Sequence, residues 1–168
     1  MKILLQQHGA ALAPTPDAER VLTAQGRNDI EHMAIVLQAG AVRVQQVLHS
    51  GKQRAQQTAE IMAHRIGSPN ALAAVAGLAP DDPVKPFCET LDGLDNDTLV
   101  VGHQPFMGRL ASILVTGRTE PPLVRFVPGA VVCLERDLNG GYAVTWMLPP
   151  TLAGPCAGAL AASPRTAS

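Results

Sequence analysis

The chain has 168 residues, 46% of them apolar and 16% charged, with a formal net charge of −1. That length suits one domain with a sizeable core, and the near-neutral balance excludes general electrostatic capture of nucleic acid or an anionic membrane. No apolar run approaches a membrane span, and Ile3-Leu4-Leu5 is too short for the core of a signal peptide; the scattered Cys88, Cys133 and Cys156 read as reduced packing thiols in a cytoplasm.

Residues 2–7 read as a short buried strand. Residues 10–22, with Pro14 and Pro16, read as a loop. Ile30, Met33, Ala34 and Leu37 predict a helix over 23–39, stopped by Gly40. A second strand covers 44–49. Ala55, Ala59, Met62, Ala63 and Ile66 form the inner face of a helix over 52–66, ended by Gly67. Residues 68–82 read as a loop rich in Ala, Pro and Asp. Phe87, Leu91 and Leu94 suggest a short helix whose start is limited by Pro86. Residues 98–101 form a third strand. Phe106, Leu110, Ile113 and Leu114 mark the next helix, closed by Gly117. Two strand-like runs, 130–135 and 142–148, flank Asn139-Gly140, a strong hairpin signal. The alternation predicts an α/β fold in three layers, α/β/α, around a mixed, mostly parallel sheet with a C-terminal β-hairpin. The domain runs over 1–150. Beyond Pro149-Pro150 small residues dominate, so 151–168 read as a poorly packed tail, dispensable for folding and chemistry.

Three segments carry residues suited to chemistry. His8 and His103 each follow a predicted strand, and Arg54 opens the helix after a third. In an α/β sheet such positions meet in one crevice at the C-terminal ends of parallel strands. A neutral imidazole is a good nucleophile towards phosphorus. A guanidinium at a helix N-terminus suits phosphoryl oxygens. Gly9 permits close approach of a ligand to the backbone. Each residue also has a plainer reading. His8 alone reads as a hydrogen-bonded structural histidine, Arg54 as an exposed helical residue and His103 as a turn residue. Ser50 and Lys52 could also touch an anion, though each reads more plainly as a cap or a solvated side chain, and His49, near the crevice in sequence, has no assigned role. Metal binding is a rival for a histidine pair, but no third ligand is suitably spaced. The Gly-x-x-x-x-Gly-Lys-Ser/Thr, Gly-x-Gly-x-x-Gly and Gly-x-Ser-x-Gly patterns are absent from the sequence.

Taken together, the segments resemble the histidine phosphatase superfamily, the phosphoglycerate mutase-like fold. The family pattern is Arg-His-Gly, then Ser-x-x-x-Arg-Ala-x-Gln-Thr, then Gly-His. Here the segments are Gln7-His8-Gly9, Ser50-x-x-x-Arg54-Ala55-x-Gln57-Thr58 and Gly102-His103. The likeness covers residues 1–150, with Leu22-Thr23-x-x-Gly26 and Val101-Gly102-His103-x-Pro105 inside it. The short length and the loop Leu78-Ala79-Pro80-Asp81-Asp82-Pro83 are most similar to the small SixA-type phosphohistidine phosphatases.

The resemblance implies that His8 takes the phosphoryl group and that water then hydrolyses phospho-His8. It implies that Arg54 and His103 hold the phosphoryl oxygens, with Gln7 and Gly9 beside them. It implies no metal or organic cofactor, and a phosphohistidine-containing protein as partner. Two departures stand out: Gln7 replaces the family arginine, and Ala10 an acidic residue often found there. Losing that charge costs about 2–3 kcal/mol of transition-state stabilisation, some hundredfold in rate. The general acid is open, with Asp81 and Asp82 the nearest candidates and solvated loop residues the plainer reading. An imidazole leaving group needs less help from an acid than an alkoxide does, which favours phosphohistidine over sugar phosphates. The alternatives are a phosphate- or phosphoprotein-binding module of the same fold and a phosphatase of small esters. A phosphomutase would need a lid and a carboxylic acid that the sequence does not suggest.

Overall fold

The computed structural model describes residues 1–13 and 16–162. Eleven named elements follow in order: β1 (Lys2–Gln7), α1 (Ala24–Ala39), β2 (Gln46–His49), α2 (Gln53–Ile66), β3 (Leu72–Ala74), α3 (Val84–Asp92), β4 (Thr98–Gly102), α4 (Phe106–Thr116), β5 (Val131–Arg136), β6 (Tyr142–Leu148) and α5 (Pro150–Ala162). The sheet order is β3-β2-β4-β1-β5-β6. The first four strands are mutually parallel, while β5 and β6 run antiparallel as a hairpin. The mixed, mostly parallel sheet expected from the sequence is present.

Period-two alternation splits the buried side chains between two faces. Ile3, Leu5, Leu48, Val100, Val132 and Leu134 face α3 and α4. Leu4, Val47, Leu99, Val101, Val131 and Cys133 face α1 and α2. Strands buried on both faces read as continuous apolar runs, which is why the short central strands were visible in the sequence. Pro86 lies in the first turn of α3, where a missing N–H costs no intrahelical bond.

Two expectations are corrected. The segment 68–82 is more than a loop: a 3-10 turn, Pro69–Ala71, leads into β3, which pairs with β2. Three residues of Leu-Ala-Ala carry too little pattern to announce an edge strand. The expected poorly packed tail is a helix over 150–162. Ala153 and Ala157, one turn apart, are buried, and Ala153 packs with Ile30 and Met33 of α1. The larger Leu152 and Leu160 face solvent. The buried stripe is therefore made of alanines, which a search for large apolar residues overlooks. The end of the expected tail, 163–168, lies outside the described residues. No described helix is long and apolar enough to cross a membrane.

Candidate active site

β1 and β4 are neighbouring parallel strands with Gln7 opposite Gly102. After β1 the chain crosses to the α1 face, and after β4 to the α4 face. Loops that part in opposite directions leave a crevice at the strand ends. His8 and His103 are the next residues on either side of it. Their ring centroids lie 4.9 Å apart. The His8 backbone N–H donates to the Gly102 carbonyl at 3.1 Å, which ties the two strand ends together.

The tautomer of His8 follows from its neighbours. Its Nδ1 lies 2.7 Å from the Gly9 carbonyl oxygen. A carbonyl only accepts, so Nδ1 carries the proton and Nε2 the lone pair. Arg54 Nε donates to that Nε2 at 3.2 Å. Burial pushes the His8 pKa down to about 4; the bond to Gly9 opposes this and the Arg54 charge adds to it. Burial, then the charges of His8 and Arg54, push His103 down to about 3. Both imidazoles are neutral at pH 7. His103 Nε2 lies 2.6 Å from Ser50 Oγ. Ser50 thus touches the site directly. His49 Nδ1 accepts the Gly51 N–H at 3.2 Å and supports the turn that carries Ser50.

Arg54 is only 3% exposed. Its Nη1 donates to the Asp17 carbonyl at 2.6 Å, and its Nη2 lies 3.0 and 3.3 Å from the two Asp17 carboxylate oxygens. Lys52 binds the same carboxylate. The hydrogen bond from Lys52, with those from Arg54, holds the Asp17 carboxyl well below the usual carboxylate range. The rest of the motif braces the floor. Thr58 Oγ1 accepts the Gly9 N–H at 3.1 Å and donates to the Arg54 carbonyl, while Gln57 Oε1 accepts the Leu22 N–H at 2.8 Å.

The structure brings Gln7, His8, Arg54 and His103 around one open cleft of about 500 Å³, together with Asp17, Arg20, Pro80 and Gln104. It does not leave Gly9 free for a ligand. Its amide is used by Thr58, and a Cβ there would come within 2.9 Å of Ile30 and 3.0 Å of the Gly26 carbonyl. Gly9 is small so that the loop can pass over α1. Asp82 accepts the Ala79 N–H at 2.8 Å and caps its own turn, and Asp81 is exposed; Pro80 of that loop reaches the cleft lining. Sequence reasoning missed Asp17 and Arg20. They lie in a loop without periodicity, and no local spacing marks them. Among the described residues, no three His, Cys, Asp or Glu side chains gather as metal ligands.

No family model matches the chain. The phosphohistidine phosphatase SixA of Escherichia coli K12 is 30% identical over 155 residues, 89% of this chain and 94% of that protein. The chain belongs to the SixA family of the histidine phosphatase superfamily. A solved structure of SixA complexed with tungstate matches this SixA-family fold with a TM-score of 0.80 and 28% identity, over 90% of this chain and 99% of that one. The alpha-ribazole phosphatase from Shigella flexneri shares the fold at a TM-score of 0.72 and 17% identity, over 89% and 97% of the two chains. Gln7 stands at this cleft beside His8. The side chain is nearly buried, lines the cleft, and its Oε1 takes no hydrogen bond.

Proposed function

We propose that the protein is a phosphohistidine phosphatase that works through phospho-His8. The observation that carries this reading is the His8 geometry. Its Nδ1–H is held by Gly9, so Nε2 carries the lone pair, which accepts from Arg54 Nε at 3.2 Å in an open cleft. In the first step the Arg54 Nε–H turns from Nε2 to a phosphoryl oxygen, and Nε2 attacks phosphorus with the lone pair so released. The bond from phosphorus to the substrate imidazole breaks, and that imidazole, protonated by solvent on its far ring nitrogen, leaves with the bonding pair as neutral imidazole. In the second step water attacks the same phosphorus, the bonding pair of the broken bond returns to Nε2, and inorganic phosphate departs as the water's proton passes to solvent. Arg54 hydrogen-bonds the equatorial oxygens where charge develops, and neutral His103 flanks them. Gln7 offers amide hydrogen bonds in place of a charged fork.

The scheme calls on no metal or organic cofactor. A substrate imidazole protonated on its far nitrogen leaves as a neutral molecule and needs no carboxylic acid; Asp81 and Asp82 would matter only for substrates with alkoxide leaving groups. The substrate on this reading is a phosphohistidine-containing protein, and the free Cys88, Cys133 and Cys156 fit a reducing cytoplasm.

The neutral Gln7 favours a second reading, a module that binds a phosphorylated partner without turnover. One comparison decides between them. Phosphate release from a phosphohistidine protein is followed for the parent, His8→Ala and Gln7→Arg, with an aryl phosphate ester in parallel. The first reading expects release by the parent, none by His8→Ala, and a gain of up to about a hundredfold in Gln7→Arg. Phosphate binding by the parent without release from either substrate supports the module. Release from the aryl ester alone points to small phosphate esters.

A further inference from the structure

We propose that Asp17 is a positioning residue that aims the Arg54 guanidinium at His8. The chemical meaning rests on the phospho-His8 reading, but the binding test does not. A guanidinium is a planar fork with two usable edges, one formed by Nη1 and Nη2 and the other by Nε and Nη2. Asp17 takes the first edge, its carbonyl on Nη1 and its carboxylate on Nη2. The second edge is thereby turned inward, with Nε on His8 Nε2 at 3.2 Å. A phosphoryl group arriving at Nε2 meets that inner edge. Arg54 comes from the first turn of α2, at the end of a long flexible side chain. Without an anchor at its far end the fork would sample several rotamers, and a misplacement of about 1 Å at such a site can cost a hundredfold.

The anchor is itself held. Asp17 opens a 3-10 turn, Asp17–Glu19, in the loop that follows His8. Lys52 donates to its carboxylate, Arg20 Nη1 lies 3.4 Å from it, and Arg20 Nε donates to the Leu12 carbonyl. Three cations around one carboxylate leave a net charge of about +2, a match for a phosphoryl dianion. The opposite reading would make Asp17 an internal anion that competes with phosphate for Arg54. The geometry argues against it, because Asp17 occupies the edge away from His8.

The two readings predict opposite signs. Inorganic phosphate affinity is measured by NMR titration for the parent, Asp17→Ala, Asp17→Asn, Arg54→Ala and the Asp17→Ala/Arg54→Ala double variant. Asp17 is half-exposed on a loop, so these changes leave the core intact, and melting curves check it. Positioning predicts about a tenfold loss of affinity in Asp17→Ala, most of it restored in Asp17→Asn, which keeps an acceptor oxygen. It predicts no further loss when Asp17→Ala is added to Arg54→Ala. Tighter phosphate binding in Asp17→Ala overturns the proposal in favour of competition. An equal loss in both backgrounds, or an Asn variant no better than Ala, overturns it as well. Absence of phosphohistidine hydrolysis in every protein would sink the phosphatase reading while leaving this cycle to decide the role of Asp17.

Discussion

The parallel half of the sheet and its antiparallel hairpin use the same edge of the molecule differently. In the parallel half, β1, β2 and β4 all end there, so each strand delivers the residues that follow it: His8, Ser50 and His103. β5 begins at that edge because it runs the other way. It brings backbone rather than side chains. Gly129, just before it, donates to the carbonyls of Gln7 and His8, and its own carbonyl accepts from buried Gln6 Nε2 at 3.2 Å. Of the buried polar side chains, Gln6, Gln7, His49, Arg54, Thr58 and His103 all lie at or near this edge. Burying polar groups is unfavourable unless they are paired, so they collect where a function compensates. The hairpin half braces the residues after β1 through Gly129, and α5 packs on α1.

The sharpest way to break this contrast is to damage each half separately. On the proposed phospho-His8 reading, His8→Ala should remove phosphohistidine turnover, a loss of at least about a thousandfold, while the melting temperature stays near that of the parent. Single-turnover assays beside calorimetry check both halves of that statement. Gly26→Ala should damage fold and site together. A Cβ there would sit 2.1 Å from the Ala10 carbonyl oxygen, in the loop that leaves His8. Relief requires the backbone to move, at about 3 kcal/mol, and urea unfolding with a turnover assay should show both losses.

The pH dependence of stability tests the parallel half alone. His8 and His103 are held at about 4 and about 3, below their ordinary 6.5. The unfolded chain therefore binds these protons more readily than the native state. The stability they leave intact above pH 6.5 is lost as the pH falls towards 4, by up to about 1.4 kcal/mol per pH unit for each histidine. Urea unfolding at pH 7.5 and 5 should show the decline, and a His8→Asn/His103→Asn variant should flatten it. The smallest effect belongs to the hairpin side. Deleting residues 150–168 removes α5, whose described buried side chains are Ala153 and Ala157, and uncovers part of α1 around Ile30 and Met33. We expect a fall of about 5 °C in Tm with activity at room temperature retained. A large loss of turnover at unchanged stability would show that α5 serves the cleft.

Much of this was legible in the sequence, because the central strands and helices bury side chains in their own periods. The α2 motif was informative for a further reason: Arg54, Gln57 and Thr58 sit within one turn of each other, and each contacts the loop after β1. Other features left little trace. β3 is three residues long, and α5 turns its alanines inward and its leucines outward. Gly9 looked like a place for a ligand and proved to be a place for Ile30.

By itself the sequence determined the layered fold, the order of its main strands and helices, and the three segments that end at the cleft. Those depend on periodicity and on chain direction, which are local properties. Only the tertiary structure decided which nitrogen of His8 carries the lone pair, which edge of Arg54 faces it, and that Asp17 holds the other edge. These depend on groups far apart in the chain, Asp17 and Arg54 being separated by 37 positions. Such contacts arise when burial removes water and leaves each polar atom to find a partner within hydrogen-bond distance.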